Sequence, residues 1–455
     1  MKVEQIYTGC LAQGAYYIVS DGEAAIIDPL REIKPYIARS KKDGVKIKYI
    51  FETHFHADFV SGHIDLAKAT GATIVYGPTA KTAFESYQAK DGEVFELGNV
   101  KLKVLHTPGH TLESVCYLLI DEEQKQHALF TGDTLFIGDV GRPDLAQKAA
   151  DMTQDELAGI LYDSLRNQVM VLPDEVLVYP AHGAGSACGK HMSKETVSTI
   201  GAQKDTNYAL RADMTKEEFI KEVTADLLPA PGYFPENVKM NKQGPESIDK
   251  VLKRANHPLT PDEFERVANE TGALVLDTRS APQFAKSFIP NAINIGIDGG
   301  FAPWVGALIP DILQPILLVT EKGREEEVAT RLARVGYDHA IGYLSGGMEA
   351  WIEAGKETDQ VERISAEDFN QKSSKKVVDV RTEEEFHTGH LSDVENIPLD
   401  GLSNHLSGLS KDETIYVHCA GGYRSMIAAS ILKARGFDHV VNIDGGYQAI
   451  LENRK

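Results

Sequence analysis

The sequence predicts an α/β fold class in about three domains, and three observations carry that reading. Four apolar, strand-like stretches in the first 245 residues each run into a histidine or aspartate with a glycine close by. Residues 258–455 repeat their own phrases at intervals of about one hundred residues, and strand-like and helix-like patterns alternate in each copy. The length, 455 residues, matches about three domains of ordinary size.

Taken in order, Gly14–Val19 and Ala24–Ile27 read as short strands that open a first sheet, closed by Asp28-Pro29. Residues 32–43 have helical spacing. Ile47–Phe51 is the strand that delivers Thr53-His54-Phe55-His56-Ala57-Asp58-Phe59-Val60-Ser61-Gly62-His63, ahead of a helical pattern at Ile64, Leu66 and Ala67. Further strands are expected at 73–76, 100–105, 114–120 and 176–179. Cys10 and Cys116 read as small buried hydrophobes, the usual place of a free cysteine. The Pro- and Gly-rich run 228–235 reads as irregular structure, and Arg254–Pro258 as a linker.

His54 and His56 alternate on a strand end and so share a face. Neutral imidazoles and carboxylates are the usual ligands of a first-row metal, and Pro108-Gly109-His110, Gly132-Asp133 and Ala181-His182-Gly183 supply more of them, each after a strand. These phrases resemble the metallo-β-lactamase superfamily. The resemblance implies a four-layered αβ/βα sandwich over residues 1–250, with a metal at one edge of its two sheets. Two-metal hydrolases of that superfamily spell the motif His-x-His-x-Asp-His, and here Phe59 stands in the last place with no donor atom. A one-metal site follows.

The run from His54 to His63, with Gly132-Asp133 and Gly141-Arg142-Pro143-Asp144, resembles the persulfide dioxygenases. That resemblance implies one Fe(II) per chain held by His54, His110 and Asp133. His56, Asp58 and His182 then orient the ligands by hydrogen bonding, unless His56 ligates directly as in the hydrolases. Two imidazoles and one carboxylate leave three positions open for substrate and O2. The expected substrate is the persulfide of a low-molecular-weight thiol, of the glutathione, coenzyme A or bacillithiol type, and the products are sulfite and the thiol. Arg142 suits an anionic group on the thiol carrier, or else pairs with Asp139 or Asp144. Cys188, in the Gly-rich stretch 184–189, either faces the substrate or is a buried structural thiol. The alternative reading is a zinc-dependent thioester hydrolase of the glyoxalase II type.

The C-terminal repeat pairs Leu276-Asp277-Thr278-Arg279 with Val378-Asp379-Val380-Arg381, Gly336-Tyr337-Asp338-His339 with Gly436-Phe437-Asp438-His439, and Gly346-Gly347 with Gly445-Gly446. Two α/β domains with parallel sheets are implied, at 258–357 and 360–455. The second carries Cys419-Ala420-Gly421-Gly422-Tyr423-Arg424 between a strand and a helix. Backbone N–H groups freed by Gly421 and Gly422, together with a helix N-terminus, favour a thiolate there. The repeat resembles tandem rhodanese domains, which implies that Cys419 carries sulfane sulfur and Arg424 helps hold an anionic partner. In the first copy Val319 or Thr320 occupies the place of the thiol, so that copy is expected to be catalytically inactive. The whole chain is similar to the bacterial persulfide dioxygenase–rhodanese fusions, in which sulfite and a Cys419 persulfide would give thiosulfate, or in the reverse order Cys419 would load the thiol carrier that feeds the iron.

Forty-seven basic against 67 acidic residues give a formal charge of −20. That balance argues against nucleic acid or an anionic membrane as partner. The N-terminus lacks an apolar signal core, no run approaches the ~18 apolar residues of a membrane span, and four cysteines make no disulfide framework. A cytoplasmic homo-oligomer is expected.

Overall fold

Strands rich in Val, Ile and Tyr bury both faces, so a sheet built from them needs a cover on each side. The computed structural model, which describes residues 1–372 and 376–454, satisfies that need in the N-terminal half with two sheets packed face to face and helices outside. The first sheet has the order β1 (Lys2–Thr8), β2 (Gln13–Ser20), β3 (Glu23–Ile27), β4 (Lys46–Phe51), β5 (Thr73–Tyr76), β6 (Tyr87–Gln88). In the second, β7 (Val94–Leu97), β8 (Val100–His106), β9 (Val115–Ile120), β10 (Gln126–Gly132), β11 (Leu177–Pro180) and β12 (Ser198–Thr199) lie side by side in chain order.

The period of two sorts each strand into two cores. Tyr117 and Leu119 face the inner core with Tyr16, Phe51, Val75 and Phe130. Cys116 and Leu118 face the outer one, against Ala158 and Leu161 of the helix Gln154–Ser164. On the other side, Ile26 and Ile50 are covered by Tyr36 of α1 (Lys34–Asp43) and Leu66 of α2 (His63–Thr70). The layers are therefore αβ/βα. β1 and β7 fall outside the strands expected from the sequence, because each is an edge strand with polar residues along its open face.

β3, β4 and β5 are parallel, as are β10 and β11. The strand ends of β4, β10 and β11 thus release their chains on one side, where Thr53–His63, Asp133 and His182 follow. The expected linker at 254–258 is regular structure instead: the helix Ile248–Ala255 runs into it, and Pro258–Leu259 (β13) pairs with a strand of the next sheet.

The two C-terminal copies build one sheet each, with the same topology. The first orders β13, β17 (Ala340–Leu344), β16 (Ile316–Val319), β14 (Leu274–Asp277) and β15 (Ile293–Asn294), all parallel. The second orders β18 (Glu362–Ile364), β22 (Val440–Ile443), β21 (Ile415–His418), β19 (Lys376–Asp379) and β20 (Glu395–Asn396) in the same way. The repeated Asp-x-Arg phrases have a structural reason. Asp277 and Asp379 are buried at strand ends and each holds its own arginine, Arg279 at 2.5 Å and Arg381 at 2.6 Å. Asn294 and Asn396 close the same loops on two carbonyls each. The chain forms two compact units, 1–248 with 333–336 and the remainder from Asp249, and apart from 333–336 both repeat copies fall in the second. Among the described residues no helix is long and apolar enough to cross a membrane.

Candidate metal centre and thiol loop

The turn after β4 is fixed by a carboxylate from the neighbouring strand. Asp28, just past β3, accepts the Thr53 N–H at 2.8 Å and the Thr53 hydroxyl at 2.8 Å. Having given its proton to Asp28, the Thr53 Oγ1 can only accept from His54 Nδ1, 3.0 Å away. That leaves Nε2 of His54 as a lone pair. His110 is fixed likewise, because its Nδ1 lies 2.9 Å from the Arg142 carbonyl, which only accepts. Its Nε2 is a lone pair too.

These two nitrogens lie 3.8 and 3.4 Å from Oδ2 of Asp133, and both Asp133 oxygens are buried without a hydrogen-bond partner. Burial, reinforced by His56, His110 and His182, keeps His54 well below the usual imidazole range and therefore neutral. Three acceptors turned toward one another in a water-poor place repel unless a cation lies among them. His54, His110 and Asp133 thus fit a metal ion, with ligand atoms all within 4.8 Å of one another. Gly132 permits this close packing: its φ of +52° is left-handed, and a Cβ there would lie 2.6 Å from Thr53.

His56 adjoins this set, its ring centroid 4.3 Å from that of His54, but its Nε2 turns to a second buried group, 3.1 Å from Asp28 and 3.4 Å from Glu52. Burial opposes its charge, but Asp28 and Glu52 outweigh burial and raise it well above the usual range. Phe59 stacks on its ring at 4.3 Å. Asp58 and His182 form a third group with Cys188, again within 4.8 Å, and His182 Nε2 reaches Asp58 at 3.4 Å and Asp133 at 3.6 Å. The Cys188 thiol is buried, and burial with the Asp133 and Asp58 carboxylates pushes it far up. Arg142 spends its guanidinium inside the protein, on both oxygens of Asp144 at 2.7 and 2.8 Å and on the carbonyls of Ala187 and Leu228. Its contribution to the metal group is its backbone carbonyl. Cys116 is inert in a core, raised to about 11 by burial, whereas Cys10 is only half-buried.

Three contributors escape a reading of the motifs. Asp28 ends an apolar strand as the candidate ligands do, and that shared position is a usable signal. Glu52 directly precedes the motif. Asn241, on the helix Phe234–Gln243, donates to the carbonyls of His56 and Phe59 and accepts the Ser61 N–H. Nothing in its polar neighbourhood marks it.

The second chemical group lies at the end of β21. Cys419 Sγ accepts the Gly422 N–H at 3.1 Å and lies 3.7 Å from the Ser425 hydroxyl. Gly422, at φ +102°, caps the helix Tyr423–Ala434. From behind, Tyr447 donates its N–H to the Cys419 carbonyl at 2.7 Å, and a Cβ on Gly446 would lie 2.4 Å from that oxygen. In this copy the twin glycines Gly445 and Gly446 therefore serve a tight turn under the loop. Gly421 lies in open space. Arg424 is held in a two-pronged ion pair with Glu385, at 2.6 and 2.7 Å. In the first copy β16 ends at Val319 and runs into Thr320, without a thiol.

Comparison with known proteins agrees with this division. Residues 8–182 match the metallo-beta-lactamase superfamily, and 260–354 and 364–453 each match the rhodanese-like domain. The human protein named persulfide dioxygenase ETHE1, mitochondrial, is 30% identical over 237 residues, which cover 50% of this chain and 85% of that one. A hydroxyacylglutathione hydrolase of Polaromonas sp. is 34% identical over 188 residues, covering 40% of this chain and 66% of its own. A crystal structure of a metallo-beta-lactamase from Staphylococcus aureus subsp. aureus COL superposes with a TM-score of 0.66 at 32% identity, over 75% of this chain and 98% of that one.

Proposed function

Because the chain belongs to the metallo-beta-lactamase superfamily and continues into two rhodanese-like domains, we propose that it oxidises the persulfide of a low-molecular-weight thiol and passes sulfane sulfur through Cys419. Persulfide, O2 and water would give thiol, sulfite and two protons. A second persulfide would pass its outer sulfur to the Cys419 thiolate and leave as the thiol, and the Cys419 persulfide and sulfite would then give the Cys419 thiolate and thiosulfate, the S–S bond breaking as the new one forms.

The observation that carries the reading is the direction of His56, which packs against the His54 ring at 4.3 Å but turns its Nε2 to Asp28 and Glu52. His56 is engaged by Asp28 and Glu52 and covered by Phe59, which leaves a set of two imidazoles and one carboxylate. His54, His110 and Asp133 would hold one Fe(II) per chain. Iron bound there would supply a Lewis-acidic, redox-active centre for the oxidation.

The chain's own residues prepare that site. Thr53 and the Arg142 carbonyl keep the Nδ1 protons of His54 and His110 in place, so that Nε2 of each is ready to ligate. Burial keeps His54 uncharged. In the second rhodanese-like domain the Gly422 N–H is positioned to stabilise negative charge on the Cys419 sulfur. The four cysteines are all free, which suits the reducing cytoplasm.

The likeness to hydroxyacylglutathione hydrolases supports a second reading, a zinc-dependent thioester hydrolase. Supplying a thiol persulfide under air to the parent and to Cys419→Ser separates the two. The proposal expects thiosulfate from the parent and sulfite from the variant. Turnover of a glutathione thioester by the zinc-loaded chain, with no sulfite from the iron-loaded one, would establish the hydrolase instead.

A further inference from the structure

The loop that carries Cys419 is not held by its own domain alone. Tyr423 follows Gly422 directly, and its side chain leaves the second copy for the first. Its hydroxyl donates to the Gly296 carbonyl at 2.7 Å. Its ring lies so close to Gly299 that a Cβ there would sit 2.2 Å from the ring edge. Only glycine leaves that space.

The receiving turn is itself braced. Arg324 grips both oxygens of Asp298 at 2.7 and 2.8 Å, and Arg331 donates to the Ile297 carbonyl at 2.6 Å. Arg324 closes the segment of the first copy that corresponds to the Cys419 loop. The same helix makes a second contact further on, where the Asn294 N–H donates to the Ser430 hydroxyl at 3.0 Å. Apart from residues 333–336, both copies belong to one compact unit.

We propose that the thiol-less first copy is the positioning partner of the reactive loop: its Gly296–Gly299 turn receives Tyr423 and thereby holds the Gly422 N–H on the Cys419 sulfur. The inference rests on the reading of Cys419 as the sulfur-carrying nucleophile. Tyr423 touches neither sulfur nor substrate, so it is a positioning residue. A chain of fixed contacts runs from Arg324 through Asp298 and the glycine turn to Tyr423, and from there through Gly422 to Cys419. The first copy has lost its thiol but keeps the arginine that steadies the turn.

The test uses the full-length chain and two readouts: sulfur transfer from thiosulfate to cyanide, and the rate at which iodoacetamide labels Cys419, read from the mass of its peptide. Cys419→Ser reports on the underlying reading, since it abolishes transfer if Cys419 carries the sulfur. Gly299→Ala and Tyr423→Ala are each expected to slow labelling of Cys419 and to lower kcat for transfer about fivefold, roughly the worth of one lost hydrogen bond. KM for thiosulfate stays as in the parent, and so does the circular dichroism spectrum.

The deciding observation is the double variant. In the Tyr423→Ala background the added methyl at 299 meets no ring, so Gly299→Ala has no further effect. Losses that multiply in the double variant, or labelling rates equal to the parent's throughout, would overturn the proposal while leaving the role of Cys419 intact. If Gly299→Ala fails to fold, Tyr423→Phe decides the question, because it removes only the hydroxyl and is expected to lose part of the same rate.

Discussion

At the scale of single residues, proton positions do most of the work. Thr53 can accept from His54 only because Asp28 has taken its own proton, so the carboxylate of one strand sets the tautomer on the next. Thr53→Val keeps the shape and removes both bonds. It is expected to weaken Fe(II) binding by about tenfold, the low end of the effect of groups that orient metal ligands, as read by anaerobic metal titration. Glu385 carries a second such argument. The Arg424 guanidinium holds it down at about 2, against burial. Its folded-state value is depressed, so its contribution to stability is complete above about 4.5 and disappears as pH falls toward 2. Urea midpoints at neutral pH and near pH 3 should show a larger acid loss in the parent than in Glu385→Gln. The difference is small because the pair is partly exposed. In the first copy the corresponding helix carries Gln283, and Arg324 turns to Asp298 instead. The copy without the thiol thus also lacks the ion pair.

At the scale of elements, the strand ends place the site and the glycines let it close. Gly132 ends β10 at a left-handed φ with Thr53 against it, so Gly132→Ala combines backbone strain with a clash. A loss of about 3 kcal/mol is expected, together with weaker iron binding, and denaturant unfolding measures it. The strands that deliver His54, Asp133 and His182 were legible because buried strands show as apolar runs that stop abruptly at a polar residue. β1 and β7 were not, since an edge strand carries only half of that pattern. The orienting residues follow the same logic. Asp28 sits where the pattern says to look, but Asn241 acts from a helix about 180 residues away through backbone carbonyls of the motif. A contact between an amide and a carbonyl leaves no mark on the residues that supply the carbonyls. The same holds for Arg142. The sequence offered Asp144 as one partner of its guanidinium, and the structure has that pair, but the carbonyl that Arg142 turns to His110 had no signal.

At the scale of the whole molecule, the proposed function puts two chemistries in one chain, and mutation is expected to separate them. The repeat of the C-terminal half was plain in the sequence because its echoed phrases are strand-end ion pairs and glycine turns, which tolerate little change. That the first copy receives Tyr423 was not, because the contact falls on two glycines, which show no chemistry of their own. His110→Ala is expected to remove O2 consumption and leave thiosulfate-to-cyanide transfer as in the parent, while Cys419→Ser does the reverse. The most direct measurement is O2 uptake by the full-length chain, loaded anaerobically with one Fe(II) and given a thiol persulfide, with sulfite and thiosulfate quantified. The account predicts one O2 consumed for each sulfite formed, counting sulfite recovered as thiosulfate, and none in His110→Ala. Protein with verified Fe(II) that takes up no O2 would contradict it.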